Sequence, residues 1–175
     1  KETMRGKPVL TENVENQTRG LDRDYITQWS YGIGETWSLM IPNVKGGASA
    51  YIGNDNPALQ NADPRFRSTI AQNNAYWGDQ PGTSGPVYVG AIVCFLFILG
   101  LFVVKGKIKW ILLSATILSI LLSWGKNFMG FTDLFLDYFP LYNKFRAVSM
   151  TLVIAEVCMP ILAFLALAEV MRNPE

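Results

Sequence analysis

The sequence predicts a mainly α-helical fold, a fragment of a polytopic membrane protein with about three transmembrane helices and a large irregular extracytoplasmic segment. The clearest indication is that charged residues and long apolar runs occupy different halves of the chain. Residues 1–86 hold 8 of the 15 basic and 9 of the 14 acidic residues, whereas residues 87–175 contain long uncharged apolar runs. A single soluble domain would not separate its residues in this way. We therefore expect an extracytoplasmic loop segment with short helices over 1–86 and a transmembrane region over 87–175.

The composition excludes several classes of function. A net charge of +1 is too small for the concentrated basic surface that binds nucleic acid. The chain has no histidine, which excludes histidine acid–base catalysis and histidine metal sites. It begins with Lys1 and has no signal-like start. We therefore expect an internal piece of a longer protein, flanked by further transmembrane helices.

Three apolar runs predict the membrane spans. The first, 87–104, has eighteen residues without a charge and meets the length needed to cross the hydrocarbon core of a bilayer. It also has no polar face, which a buried helix of a soluble protein would usually show. The second predicted span covers 108–124. The third covers 147–170 and is interrupted by Glu156 and Pro160.

The charges of the connecting segments predict the orientation. Residues 105–109 contain three lysines, and Arg172 follows the third run. Short basic loops stay on the cytoplasmic side of a membrane. Residues 1–86 and 125–146 are then extracytoplasmic, and aromatic residues lie near the predicted span ends, as in an aromatic belt.

Small residues in the second span predict close helix packing. They recur at every fourth position, as Ala115, Ser119 and Ser123. Such a stripe lets helices approach each other closely in lipid. Cys94 and Cys158 lie within apolar runs, so we interpret them as small packing residues and not as a disulfide or a metal site.

The connector 125–146 has the pattern of an amphipathic helix lying at the outer membrane surface. Its apolar residues have helical spacing, as Phe128, Phe131, Leu134, Phe135 and Tyr138. Asp133 and Asp137 lie one turn apart on another face. They are interpreted as a solvated acidic face, with a divalent metal ion or an acid–base pair as the alternative. No cofactor is specified by the sequence.

The extracytoplasmic segment shows little regular periodicity. A short helix is predicted over 35–40, because Pro42 would end it. A second helix is predicted to open at Asp63 and Pro64, as an N-cap followed by a proline in the first turn.

Three strings of residues resemble a known family. They are DYITQWSYGIGETWSLMIPN (24–43), YWGDQPGTSGPVYVGAI (76–92) and SWGKNFMGFTDLFLDYFPLYNKFRAVSM (123–150). They resemble the YfhO-type family of bacterial multi-pass membrane proteins, which is similar to the C-type glycosyltransferases. The resemblance implies a protein of the bacterial cytoplasmic membrane that takes a sugar from a polyprenyl-phosphate carrier on the extracytoplasmic face. It also implies that the catalytic carboxylate lies outside this fragment, so the catalytic residue is unknown.

Such a reaction needs a cation that binds the lipid phosphate and an aromatic surface on which the sugar can lie. It also needs a carboxylate that deprotonates the acceptor hydroxyl. The candidate substrate-binding residues are Arg146, Lys144, Trp77, Asp79 and Glu35. Arg146 immediately precedes an apolar run, where its guanidinium could reach a lipid headgroup. The expected partners are membrane lipid and a lipid-linked sugar, and the sequence predicts no nucleic acid partner. The alternative for these residues is ordinary anchoring at the interface or turn formation.

Two other functions are compatible with the sequence. A transporter or flippase would use Glu156 and the helix break at Pro160 as a site in the middle of the membrane. A noncatalytic membrane scaffold would use the large external segment to bind a partner. Because both a charge and a proline fall on one turn, we expect that turn to face the protein interior.

Overall fold

A computed structural model of the chain describes residues 18, 20–82 and 87–172. Residues 1–17, 19, 83–86 and 173–175, which include the first part of the predicted extracytoplasmic segment, lie outside the described residues. The fold is mainly α-helical, as predicted. The α-helices are α1 (Arg23–Thr27), α2 (Arg67–Ala71), α3 (Ala91–Val103), α4 (Ile108–Ser123), α5 (Met129–Tyr138) and α6 (Leu152–Arg172). The 3₁₀ helices are Ile33–Leu39, Pro57–Asn61, Gly125–Phe128, Tyr142–Lys144 and Val148–Thr151.

The short elements of the first segment only partly follow the sequence prediction. The 3₁₀ helix Ile33–Leu39 lies where a short helix is predicted. The Asp63 carboxylate accepts a hydrogen bond from the backbone N–H of Arg65 at 2.9 Å, but the helix begins only at Arg67. Strands β1 (Gly46–Tyr51) and β2 (Asn74–Tyr76) pair antiparallel, with an irregular register between them.

Within the described residues, the continuous helical stretch Val148–Arg172 is long and apolar enough to span a membrane. The α3 helix has 13 residues and α4 has 16, which correspond to about 20 and 24 Å at the rise of an α-helix. Both fall short of the roughly 30 Å of a hydrocarbon core. The prediction of a full-length spanning helix is therefore met for the third span alone.

The α3 helix begins later than predicted because the chain before it is extended. The backbone N–H groups of Val89 and Gly90 both donate to the carbonyl oxygen of Leu39, at 3.0 and 2.9 Å. Gly90 has φ +113°, a conformation that favours glycine. The carbonyl of Leu39 thus holds the residues before the first apolar helix in an extended conformation, and the helix starts at Ala91.

The three long helices share one apolar core, with α6 between α3 and α4. The residues of α6 that are buried follow a helical stripe: Leu152, Ala155, Cys158, Met159, Leu162, Ala163 and Ala166. The small residues of α4 lie against it, as expected of their stripe. The hydroxyl of Ser119 donates to the carbonyl of Thr151 at 2.7 Å, and the hydroxyl of Thr151 donates to the carbonyl of Ser119 at 3.1 Å.

The described residues of the segment 1–86 and the connector 125–146 meet at the same end of these helices, which we call the polar end. The backbone N–H of Tyr31 donates to the carbonyl of Ser123 at 2.7 Å. The backbone N–H of Lys126 donates to the hydroxyl of Ser30 at 2.8 Å. Tyr31 is fully buried in the same apolar core as the long helices. Ser30 and Tyr31 thus attach the described part of the first segment to the helices.

The α5 helix leaves α4 at an angle, as predicted for the connector. The axes of Ile108–Ser123 and Gly125–Tyr138 differ by 107°. The two α5 carboxylates keep solvent exposure, 34 % at Asp133 and 53 % at Asp137, and they also share one cation: the guanidinium of Arg23 lies 3.4 Å from Asp133 and 3.3 Å from Asp137. Among the described residues, no group of three or more His, Cys, Asp or Glu side chains could hold a metal ion.

Glu156 does not occupy the position expected of it. The side chain is exposed on the surface of the described residues. The buried stripe of α6 contains Ala155 and Cys158, so Glu156 lies just off the face that contacts the other helices. The expected interior position of Glu156 is therefore not met among the described helices, although Cys158 and Met159 of the same turn are buried. Pro160 is accommodated within α6.

Candidate functional site

The guanidinium of Arg146 is held by two aromatic residues at the polar end. Its Nη1 donates a hydrogen bond to the hydroxyl of Tyr25 at 2.8 Å. Its Cζ lies 4.4 Å from the centre of the Trp29 ring and 5.2 Å from that of Tyr25. Such cation–π contacts fix a cation without neutralising its charge. Both ion pairs of the described residues belong to Arg23, so Arg146 has no carboxylate partner there.

A cleft of about 240 Å³ opens beside Arg146. It is lined by Tyr142, Phe145, Arg146, Ala147, Val148, Met150 and Thr151. The lining is mostly apolar, so the cleft combines a positively charged rim with an apolar interior. An anion that carries a hydrocarbon chain fits this combination, because its charged group can contact the guanidinium while its chain occupies the apolar interior.

The backbone of this segment is in an uncommon conformation at two residues. Leu141 has φ +70° and Ala147 has φ +65°. Non-glycine residues rarely adopt the left-handed region, and such residues concentrate at ligand-binding sites. They bracket the 3₁₀ helix Tyr142–Lys144 and Arg146. Lys144 is exposed two residues before Arg146 in the chain, so a second cation lies close to the rim in sequence.

Tyr142, which lines the cleft, has a buried hydroxyl. Its ring centre lies 5.8 Å from that of Phe135, and the side chain packs against the cluster of Ile26, Leu136 and Val148. Its hydroxyl is buried and has no hydrogen-bond partner among the described residues. Burial raises the pKa of Tyr142 to about 12, so the hydroxyl keeps its proton at physiological pH.

Glu35 lies in the interior and joins two parts of the chain by hydrogen bonds to Gly32, Tyr76 and Asp79. We call this hydrogen-bonded group the bracket. Only 1 % of its surface is exposed. Its Oε2 accepts hydrogen bonds from the backbone N–H groups of Gly32 at 2.6 Å and Asp79 at 3.2 Å. Its Oε1 accepts from the hydroxyl of Tyr76. Burial and this hydrogen bond raise the pKa of Tyr76 well above its usual range. A substrate has no access to this carboxylate, so the expected direct contact of Glu35 with a substrate is not supported.

The bracket depends on a close approach of the backbone at Gly78. A Cβ at this position would overlap both the Glu35 carboxylate and the Tyr76 hydroxyl. The segment 76–80 can therefore wrap around Glu35 only with glycine here. It is further tied by the backbone N–H of Gln80, which donates to the Tyr76 hydroxyl at 3.2 Å.

Asp79, whose backbone N–H binds Glu35, has an exposed carboxylate. One of its oxygens accepts a hydrogen bond from the side-chain amide of Asn127 at 3.2 Å. The same amide nitrogen donates to the carbonyl of Tyr31 at 2.9 Å. The Asp79 and Glu35 carboxylates are near each other, since an oxygen of each lies 2.9 Å from the place a Cβ would take on Gly32. Asp79 is thus oriented from both sides while it stays accessible.

Trp29 connects the Asp79 loop to Arg146. Its indole N–H donates to the carbonyl of Pro81 at 2.8 Å, and its ring makes the cation–π contact with the Arg146 guanidinium. Trp77 is 70 % exposed, and its backbone N–H donates to the carbonyl of Lys45 at 2.7 Å. The polar end therefore presents a carboxylate at Asp79 and a cation at Arg146, with an aromatic residue between them.

The sequence indicates the charged members of this arrangement but not the residues that hold them. Arg146, Asp79 and Glu35 were expected to act at the same side of the membrane, and the structure brings them to the same end of the helices. Their partners were missed: Tyr25, Trp29, Asn127 and Tyr142. Tyr25 and Trp29 are four residues apart, a spacing that places side chains on one face of a turn, but nothing in the sequence links this face to Arg146.

No protein-family model, curated protein or solved structure matches this chain.

Proposed function

We propose that this chain is part of an integral membrane glycosyltransferase-like protein, and that its polar end binds a polyprenyl-phosphate sugar donor on the extracytoplasmic face. The observation that carries the proposal is the cleft beside Arg146. A guanidinium with no carboxylate partner among the described residues stands at the rim of an apolar cleft. The planar guanidinium can bind two phosphate oxygens at once, and the apolar lining suits a prenyl chain.

The arrangement of the helices supports a position in a membrane. The α6 helix and the 3₁₀ turn before it are long enough to span. The extended residues 87–90 lengthen the first apolar run beyond α3. Their backbone is partly satisfied by the Leu39 carbonyl, and backbone that is not helical at membrane depth requires such partners. We propose three spans, with the lysine-rich loop 105–109 on the cytoplasmic side of the bacterial membrane.

The remaining groups of the polar end suit a sugar. Asp79 offers an oriented, accessible carboxylate that can accept hydrogen bonds from hydroxyl groups. Trp77 offers an exposed aromatic face, the surface on which sugar rings commonly stack. The carboxylate that deprotonates the acceptor is proposed to come from a part of the protein outside this chain. A transporter with an interior site at Glu156 has less support, because that side chain is exposed on the surface of the described residues.

The test is sugar transfer from a polyprenyl-phosphate sugar by the full-length protein in membranes. Arg146→Lys keeps the charge but loses the planar fork, so we expect a substantial loss of transfer at low donor concentration. Lys126→Ala is the matched control, because it removes another exposed cation of the polar end. Near-normal transfer by Arg146→Lys would contradict the proposal, since a simple interfacial anchor tolerates any cation.

A further inference from the structure

We propose that the exposed side of α6 around Glu156 is a docking surface for a further transmembrane helix of the full-length protein, and that this helix brings a lysine or arginine side chain to the Glu156 carboxylate. This inference rests on the membrane position in the proposed function. It concerns a part of the molecule away from the cleft beside Arg146, and its partner is identified by chemistry alone, as an apolar helix with one basic side chain inside the membrane.

The first argument is the depth of Glu156 in the spanning stretch Val148–Arg172. Glu156 lies eight positions after Val148 and sixteen before Arg172, which correspond to about 12 and 24 Å at the rise of an α-helix. In a span of this length the position falls inside the hydrocarbon region of about 30 Å. Glutamate lacks the long stem with which lysine and arginine reach the headgroups, so its carboxylate stays at this depth.

The second argument is that no described residue pairs with this carboxylate. Glu156 is exposed on the surface of the described residues, and both ion pairs among them belong to Arg23. Burial and the charge of Glu156 raise the pKa of Tyr31, but that buried phenol already shares a hydrogen bond of 2.5 Å with Ser38. An unpaired carboxylate in hydrocarbon is costly, so we expect the rest of the protein to cover it.

The third argument is the apolar surface next to the carboxylate. Val153, Val157 and Phe164 lie beside Glu156 on the exposed side of α6, whereas its buried stripe packs in the core shared with α3 and α4. Apolar side chains give a helix interface in lipid its packing, and a polar side chain among them adds a specific interaction between the helices. The exposed side of α6 has both.

Charge complementarity favours a different helix over a second copy of this chain. Between residues 87 and 172 the described cations lie towards the two ends of the helices, so none is at the depth of Glu156: Lys105, Lys107, Lys109 and Arg172 at one end, and Lys126, Lys144 and Arg146 at the other. A two-fold dimer through this face would bring Glu156 towards its own equivalent and place like charges together. A lysine or arginine from another helix neutralises the carboxylate and donates hydrogen bonds to it.

The experiment compares melting temperatures of the full-length protein in lipid nanodiscs. Glu156→Leu removes the carboxylate, and Glu156→Gln removes only its charge. We expect both variants to melt several degrees below the unmodified protein, with the larger fall in Glu156→Leu, because removing one partner of a buried ion pair leaves the other charge unpaired. Ser114→Leu is the matched control, since it also replaces an exposed polar residue of a long helix with leucine, and we expect no such fall.

Two melting results would overturn the inference. One is an equal or higher melting temperature in Glu156→Leu, since removing a carboxylate that faces lipid stabilises the protein and removing one that faces water changes little. The other is a fall in Glu156→Leu without a fall in Glu156→Gln, which would show a neutral partner in place of a basic one.

Photocrosslinking then identifies what covers this side of α6. Phe164 lies eight positions after Glu156 and is 71 % exposed, and Phe164→p-benzoylphenylalanine places a group there that reacts with neighbouring C–H bonds. We expect a crosslink within one polypeptide, to a peptide that lies outside residues 1–175 and carries a lysine or arginine. Crosslinks to lipid alone, or between two copies of the protein, would contradict the inference.

These results are distinct from a failure of the proposed function. If Arg146→Lys transfers sugar normally, the proposed donor site is wrong, and the comparison at Glu156 still decides the inference about α6. If Glu156→Leu raises the melting temperature and position 164 crosslinks to lipid alone, the inference is wrong while the membrane position stands.

Discussion

Replacing Glu35 with Gln tests whether this residue is the bracket of the polar end. The substitution keeps the size of the side chain and changes one oxygen to an amide nitrogen. The amide oxygen can still accept from the N–H groups of Gly32 and Asp79. The nitrogen then faces the hydroxyl of Tyr76, which already accepts a hydrogen bond from the N–H of Gln80. The Tyr76 hydroxyl would receive two donors and lose the acceptor for its own proton.

The expected magnitude follows from these three hydrogen bonds. A hydrogen bond to a charged acceptor contributes about 1.5–3 kcal/mol, against about 0.5–1.5 kcal/mol for a neutral one. Glu35→Gln removes the bond from Tyr76 and makes the other two neutral, so we expect the free energy of unfolding to fall by roughly 3.5–6 kcal/mol. Glu35→Ala should be worse, because it leaves three donors without an acceptor.

The assay is reversible unfolding of the purified full-length protein in mixed micelles. Asp55→Asn is the matched control, since it makes the same chemical change at an exposed carboxylate, where substitutions usually change stability by less than about 0.5 kcal/mol. Tyr76→Phe combined with Glu35→Gln should give strongly non-additive losses, because both remove the same hydrogen bond. If Glu35→Gln is no more destabilising than Asp55→Asn, the bracket does not hold the Asp79 loop and this reasoning is refuted.

Three further predictions concern other parts of the molecule. Gly78→Ala should destabilise the protein at least as much as Glu35→Gln in the same micelle assay, because its Cβ would overlap the Glu35 carboxylate; a neutral effect would contradict the close approach. In intact cells, a membrane-impermeant thiol reagent should label Asp55→Cys and not Lys107→Cys, and the reverse pattern would invert the proposed topology. Stability should fall as the pH rises above 10, by at most about 1.4 kcal/mol per pH unit and tyrosine, because the folded protein keeps protons that the unfolded chain loses; pH-dependent melting checks this for the tyrosines with a raised pKa, Tyr31, Tyr76 and Tyr142.

The sequence indicated the features that depend on local pattern. The small residues of α4 predicted a close helix neighbour, and the Ser119–Thr151 hydrogen bonds provide it. The aromatic spacing of the connector predicted α5. Charge distribution predicted that the two polar segments lie together. Each of these follows from residues close in sequence or from the separation of polar and apolar runs.

The features that the sequence did not indicate depend on contacts between distant residues. The α3 helix starts at Ala91 because the Leu39 carbonyl binds the chain before it, and no periodicity within the apolar run could show this. Glu35 is buried although it lies in a glycine-rich polar segment, because residues 76–80 wrap around it. The rotation of α6, which exposes Glu156, is set by packing against α3 and α4, and a helix that is apolar on most sides does not reveal that rotation.

The most direct test of the central claim is to map where a polyprenyl phosphate binds. The probe is a farnesyl phosphate analogue that carries a photoreactive group on its prenyl chain, added to the full-length protein and followed by mass spectrometry of the labelled peptides. The chain contains a matched alternative at the other end of the helices, a cleft of about 590 Å³ lined by residues that include Lys105 and Arg172. We expect labelling within residues 142–151 and loss of that labelling in Arg146→Lys. Labelling at the Lys105 and Arg172 cleft, with none in residues 142–151, would contradict it.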